Sequence, residues 1–128
     1  MNLTVSRALK VTAVGHTLVG LILFAEPLQA TVREGIVGAI VPHFDRVAAF
    51  WFLLFSPALY MLAQVIDRAV ASRTPEVVRV VSWYLLVLGI IGAVMIPLSG
   101  FWLLMAIGLL GIRTAGQMTV LPTVAHTP

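Results

Sequence analysis

Uncharged apolar residues run along this chain in long blocks, with the charged residues gathered between them. The clearest block is Val47–Ile66, twenty residues without a charge, flanked by Asp45-Arg46 and Asp67-Arg68. At about 1.5 Å rise per residue it reaches roughly 30 Å, the thickness of a bilayer's hydrocarbon core. That length predicts a membrane-spanning helix, and the other blocks are its companions. Val11–Ala25 carries no charge, and widened to residues 9–28 it too reaches spanning length. From Val80 to Ile112 thirty-three residues are uncharged, too many for one span, and Pro97-Leu98-Ser99-Gly100 divides them. Spans are therefore expected over about 80–97 and 100–120, the last interrupted by Arg113 and Gln117 and ended by Pro122. The pattern predicts an all-α fold, an integral membrane four-helix transmembrane bundle forming a single domain over residues 1–128.

The polar stretches complete this picture. Met1–Lys10 reads as a short polar arm and Thr123–Pro128 as a frayed tail. Residues 29–46 form a half-buried loop whose centre, Gly35–Val41, is too short to span and suits an interfacial piece. Pro42 should stop any helix there, and Asp45 is placed to cap the next one. Thr74-Pro75-Glu76 restarts the chain into the third span. The first block has a competing reading as a cleaved leader, with a basic start, an apolar middle and Ala25–Ala30 as the cleavage region. Leu28 fits poorly three residues before such a cut, and His16 and Thr17 interrupt the apolar middle. Gly89 with Ala93 and Gly111 with Ala115 are small residues four apart, the spacing that lets membrane helices approach closely.

Composition agrees with the pattern. The chain is 60% hydrophobic and only 10% charged, with a mean hydropathy of +1.05. A soluble domain carries about 25% charged residues, so the surface here cannot be mostly water-facing. The net charge of +3 comes from eight basic residues spread over helix ends, which argues against nucleic acid as a partner. Six of the eight, Arg7, Lys10, Arg68, Arg73, Arg79 and Arg113, fall on the side of both termini, while Arg33 and Arg46 fall opposite. The positive-inside bias puts both termini in the cytoplasm and makes residues 29–46 an extracytoplasmic loop. No cysteine is present, which excludes disulfides, thiolate catalysis and iron–sulfur ligation. No HExxH or other metal-ligand spacing occurs, and no cofactor motif is found.

Two groups of residues could carry chemistry. Helical rise puts His16, Tyr60 and Arg113 in one layer about 10 Å inside the cytoplasmic edge, with Gln117 on the same face as Arg113. Ionisable groups at that depth normally face a bundle interior or a wet cavity. These four residues are the expected ligand-binding set, with His16 the candidate acid–base residue. Set against that, His16 could serve only as a hydrogen-bonded helix bridge and Arg113 could snorkel to the headgroups. The second, weaker group is Glu26, Glu34, His43 and Asp45 with Arg33 and Arg46, at the extracytoplasmic mouth. An Asp45–Arg46 pair at a helix start is ordinarily an exposed ion pair worth little.

Three pieces taken together, Gly15-His16 with Gly20, Asp45-Arg46 leading into Phe50-Trp51-Phe52, and Pro97-Leu98-Ser99-Gly100-Phe101-Trp102, resemble an uncharacterised family of small bacterial four-helix membrane proteins. The similarity covers roughly residues 9–112. It implies a multi-pass protein of the bacterial inner membrane and no particular reaction. The expected function is a small membrane protein that binds a lipophilic small molecule or sits as a subunit beside another membrane protein. The alternative is a membrane-embedded isomerase, cyclase or hydrolase of an apolar substrate, working through His16. The lipid bilayer is a partner in either case, and self-association is compatible with both.

Overall fold

A computed structural model of the chain describes residues 3–120. Among the described residues five helices follow one another: α1 Leu3–Leu23, α2 Ala25–Arg33, α3 Phe44–Ala71, α4 Pro75–Met95 and α5 Phe101–Val120. The fold is all-α, and α1 and α3–α5 are long and apolar enough to cross a membrane. Pro122 and the tail beyond it lie outside the described residues, as do Met1 and Asn2.

The helix ends follow from backbone hydrogen bonding rather than from the edges of the apolar blocks. α1 begins well inside the expected polar arm and takes in Arg7 and Lys10. It stops at Leu23, short of the expected residue 28. Pro27 has no N–H for the Leu23 carbonyl, and its ring crowds that same carbonyl. Phe24 accordingly leaves the helical region at φ −110° and ψ 26°, and Pro27 falls in the first turn of α2, where the missing N–H is harmless. α2 thus occupies the first part of what the apolar pattern presents as loop, and none of its residues is buried. α3 starts two residues after Pro42 and extends past the uncharged block at both ends. Asp45 lies inside its first turn rather than at the cap, where a carboxylate still suits the positive end of the helix dipole. α4 begins with Pro75, five residues before the uncharged block, because Glu76 and Arg79 can hold helical backbone while their charges reach the interface.

The described residues form two compact units, one of residues 9–61 and one joining residues 3–8 with residues 62–120. In the second of these, α4 and α5 pack through small residues. Both expected pairs are buried, Gly89 with Ala93 and Gly111 with Ala115. A Cβ on Gly108 would stand 2.7 Å from the Leu86 nitrogen and 2.8 Å from the Ser82 oxygen, both backbone atoms. One on Gly89 would meet the Met105 nitrogen at 2.7 Å, and one on Gly92 would collide with the Phe101 ring. Lipid supplies no hydrophobic drive between helices, so this close approach gives the dispersion contact that holds them. Below it, Ala69 of α3, Val78 of α4 and Ala115 of α5 form a buried cluster flanked by Val70 and Met118.

The two turns of this unit are hydrogen-bonded to helix ends. Arg73 takes φ 52°, and the Thr74 hydroxyl and N–H both donate to the Ala69 carbonyl, at 3.0 and 2.8 Å. At the other end Trp102 Nε1 donates to the Pro97 carbonyl at 2.9 Å, which ties the Pro97–Gly100 turn to α5.

Gly108→Ala should lower stability by about 1–3 kcal/mol, because the added methyl meets backbone that cannot move aside. At Gly116, where a Cβ meets nothing within 4 Å, the same change should be neutral or stabilising by about 0.5–1 kcal/mol. Thermal unfolding of both variants in detergent micelles checks the pair.

Candidate functional site

A side-chain contact between α1 and α3 is built on one face of α3. Phe52, Phe55 and Ser56 stand at helical spacings of three and four and therefore share that face. His16 of α1 meets all three. Its Nδ1 lies 3.1 Å from the Ser56 hydroxyl oxygen. Its ring stacks on Phe52 with centroids 3.9 Å apart and 11° between planes, and Phe55 closes in at 5.5 Å, tilted. Phe24 packs on Phe52 in turn, at 5.3 Å. Ser56 is 5% exposed, while His16 is half-buried.

Gly20 permits this approach. It lies one turn beyond His16 on α1, and a Cβ there would stand 2.7 Å from Leu53 Cδ2 and 2.9 Å from Phe52 Cδ1. A larger residue would push α1 away from the aromatic rings that carry His16. Because α1 ends at Leu23, His16 lies about 10 Å along the helix axis from the α2 end. The apolar pattern, with its span over 9–28, puts it closer to the N-terminal end. The Leu53 carbonyl beside this contact lacks a helical donor, since Pro57 supplies no N–H.

The other expected ligand-binding residues are placed as follows. Tyr60 lies one turn beyond Ser56 on α3 and is 46% exposed; the rings packed on His16 are Phe52 and Phe55. Arg113 and Gln117 lie four apart on α5, in the other compact unit, and both are exposed. The partner that the apolar reading missed is Ser56. The signal for it was present, since Ser56 is the one aliphatic hydroxyl of the uncharged block 47–66, but sequence position does not reveal which helix faces it.

The residues of the second group, between Glu26 and Arg46, form a different structure from the one expected. Arg46 does not pair with its neighbour Asp45 as a surface ion pair. It is 7% exposed, and its guanidinium donates to both oxygens of Glu34 at 2.6 Å and to the Ala39 carbonyl at 2.6 Å. The loop winds back to allow this. Gly35 and Gly38 adopt φ 101° and 78°, with Ile36 at 61° between them, and Ile36 N–H closes on the Thr31 carbonyl at 3.0 Å. Glycine is the residue that takes such angles without strain. Arg46 then clasps the two ends of the wound segment, a fork-to-fork geometry that favours arginine over lysine. The hydrogen bonds from Arg46 hold the Glu34 carboxyl below its ordinary value, against the opposing effect of desolvation and with help from the charges of Arg46 and His43. Glu26, His43 and Asp45 are exposed, and among the described residues no three acidic or histidine side chains gather to hold a metal ion.

A carboxyl whose folded-state pKa is depressed contributes stability above its unfolded value, near 4.5, and loses it as the pH falls through the lowered folded value. The clasp should therefore be intact at neutral pH and open under acid. Amide hydrogen exchange over residues 34–46 should show protection that drops below about pH 4.5 in the wild type and is already low and pH-independent there in Glu34→Gln. Gly20→Leu should separate α1 from α3 and broaden the His16 ring resonance, with a stability loss of about 1–3 kcal/mol in thermal melts.

Comparison with curated proteins and with solved structures finds no match to either. A family model matches residues 2–117, nearly the whole described chain, and on that match the protein belongs to DUF6463, a family of unknown function.

Proposed function

We propose that this small membrane protein binds a lipophilic ligand at the His16–Ser56 contact, with the aromatic rings of Phe52 and Phe55 as its wall. The observation that carries the reading is the 3.1 Å hydrogen bond between His16 Nδ1 and Ser56, made by side chains of two apolar helices. Polar groups inside membrane spans are costly and are commonly found where a substrate or ligand is handled. The ring is half-buried, so it is reachable, and a Cβ on the adjacent Gly15 would meet open space. Lipid is the other partner, supported by exposed apolar side chains along the spans such as Val14, Ile22, Ile91 and Val94. Of the other residues expected to bind the ligand, Tyr60 lies on α3 one turn beyond Ser56 and stays with the proposed site; Arg113 and Gln117 belong to the other compact unit and are not drawn into it.

The distribution of basic residues supports a multi-pass protein of the cell membrane with both termini cytoplasmic, and the resemblance to small bacterial membrane proteins supports the inner membrane. A second reading rests on the same contact. A ring nitrogen within hydrogen-bond reach of a hydroxyl is also the geometry of an acid–base residue, which keeps an isomerase, cyclase or hydrolase of an apolar substrate in view.

Mass spectrometry of organic extracts from the purified protein tests the proposal. Wild type should carry a lipophilic compound at near-stoichiometric amount, and His16→Phe, which keeps an aromatic ring in the stack, should lose at least about tenfold of it, the equivalent of a hydrogen bond at the upper end of its usual worth. Equal extracts from two equally folded proteins would remove the ligand role and leave His16 a packing residue.

A further inference from the structure

We infer that the ligand at His16 is an uncharged hydrogen-bond acceptor, a lipophile bearing a ketone or ester carbonyl, received by an Nε2–H of the His16 ring. This rests on the ligand-binding reading above and names its chemistry. The argument starts from where hydroxyl protons go. A serine or threonine within a helix ordinarily donates to the carbonyl four residues back. Thr17 does so to Ala13 at 3.0 Å, Thr31 to Pro27 at 2.8 Å, Ser82 to Val78 at 2.6 Å and Thr114 to Leu110 at 2.9 Å. Ser56 behaves differently. Among the described residues its partner is His16 Nδ1, across to another helix.

A hydroxyl that does not spend its proton on its own helix has it available for the ring nitrogen. The neutral imidazole has one donor and one acceptor nitrogen. When Nδ1 accepts from Ser56, the ring proton sits on Nε2, since the bond made by one nitrogen sets the state of the other. Ser56 is thus a positioning residue: it fixes which tautomer faces the ligand. An N–H in an apolar span lowers its free energy by finding an acceptor. A carbonyl provides one and brings no proton of its own. An alcohol would bring a donor while the ring's lone pair is already engaged by Ser56, and a carboxylate would carry a charge into an apolar aromatic surround. Phe52 covers one face of the ring at 3.9 Å, so the acceptor meets the ring at its edge.

Nitrogen-15 NMR of histidine-labelled protein in phosphatidylcholine nanodiscs reads the tautomer, with His16 assigned by the signal missing from His16→Phe. The expected spectrum has Nδ1 unprotonated and Nε2 protonated. The same signal then follows titration with three matched probes: tridecyl methyl ketone, tridecyl methyl carbinol and pentadecane. The ketone should bind about tenfold more tightly than the alkane, one strong hydrogen bond's worth, and Ser56→Ala should erase the ketone's advantage over the carbinol. A ring protonated on Nδ1, with the carbinol bound in preference to the ketone, would overturn this inference and leave ligand binding at His16 standing. An Nε2-protonated ring that none of the probes shifts would overturn the ligand-binding reading itself.

Discussion

An unpaired peptide N–H or carbonyl in hydrocarbon costs several kcal/mol, and this constraint sets where the chain turns. Each apolar block must be helical, and each helix must end where its hydrogen bonding can be closed by other means. Proline marks those places. Pro27 forbids the bond that would carry α1 past Leu23, Pro42 precedes α3, Pro75 opens α4 and Pro97 stands in the turn between α4 and α5. Pro57 is the exception, lying inside α3, and it falls beside Ser56, where the structure also departs from plain helical hydrogen bonding.

Once the helices exist, lipid gives them no reason to associate, because a leucine is as well solvated by acyl chains as by another helix. Close contact must come from shape. In the α4–α5 pair that shape is made by Gly89, Gly92, Gly108 and Gly111, none of which has room for a methyl group without displacing a neighbour. In residues 9–61 Gly20 does the same for α1 against Phe52 and Leu53. There the close approach serves a polar contact as well as packing, for it is what lets His16 reach Ser56.

The segment between α2 and α3 is held by a different means. Its backbone is wound by two glycines at positive φ, and a buried arginine ties residues 34, 39 and 46 together. An Arg–carboxylate fork of this kind excludes the simpler local pairing of Arg46 with Asp45, since a side chain turned back across the loop toward Glu34 and the Ala39 carbonyl satisfies more of its donors.

Local backbone physics was legible in the residues alone: four apolar blocks of spanning length, the turn at Pro97–Gly100, the restart at Pro75, and the small-residue pairs on α4 and α5. These depend on length, proline position and helical spacing, which a single chain carries in its own order. The helix limits were less legible, because charged residues such as Arg7, Lys10, Glu76 and Arg79 break an apolar pattern without breaking a helix. Partner choice was decided only in the tertiary structure. That His16 meets Ser56, and that Arg46 reaches twelve residues back to Glu34, depends on which helix faces come together and how a loop is wound. Residues forty apart in sequence have no local spacing to announce them, and so the candidate site became visible only once α1 and α3 were in contact.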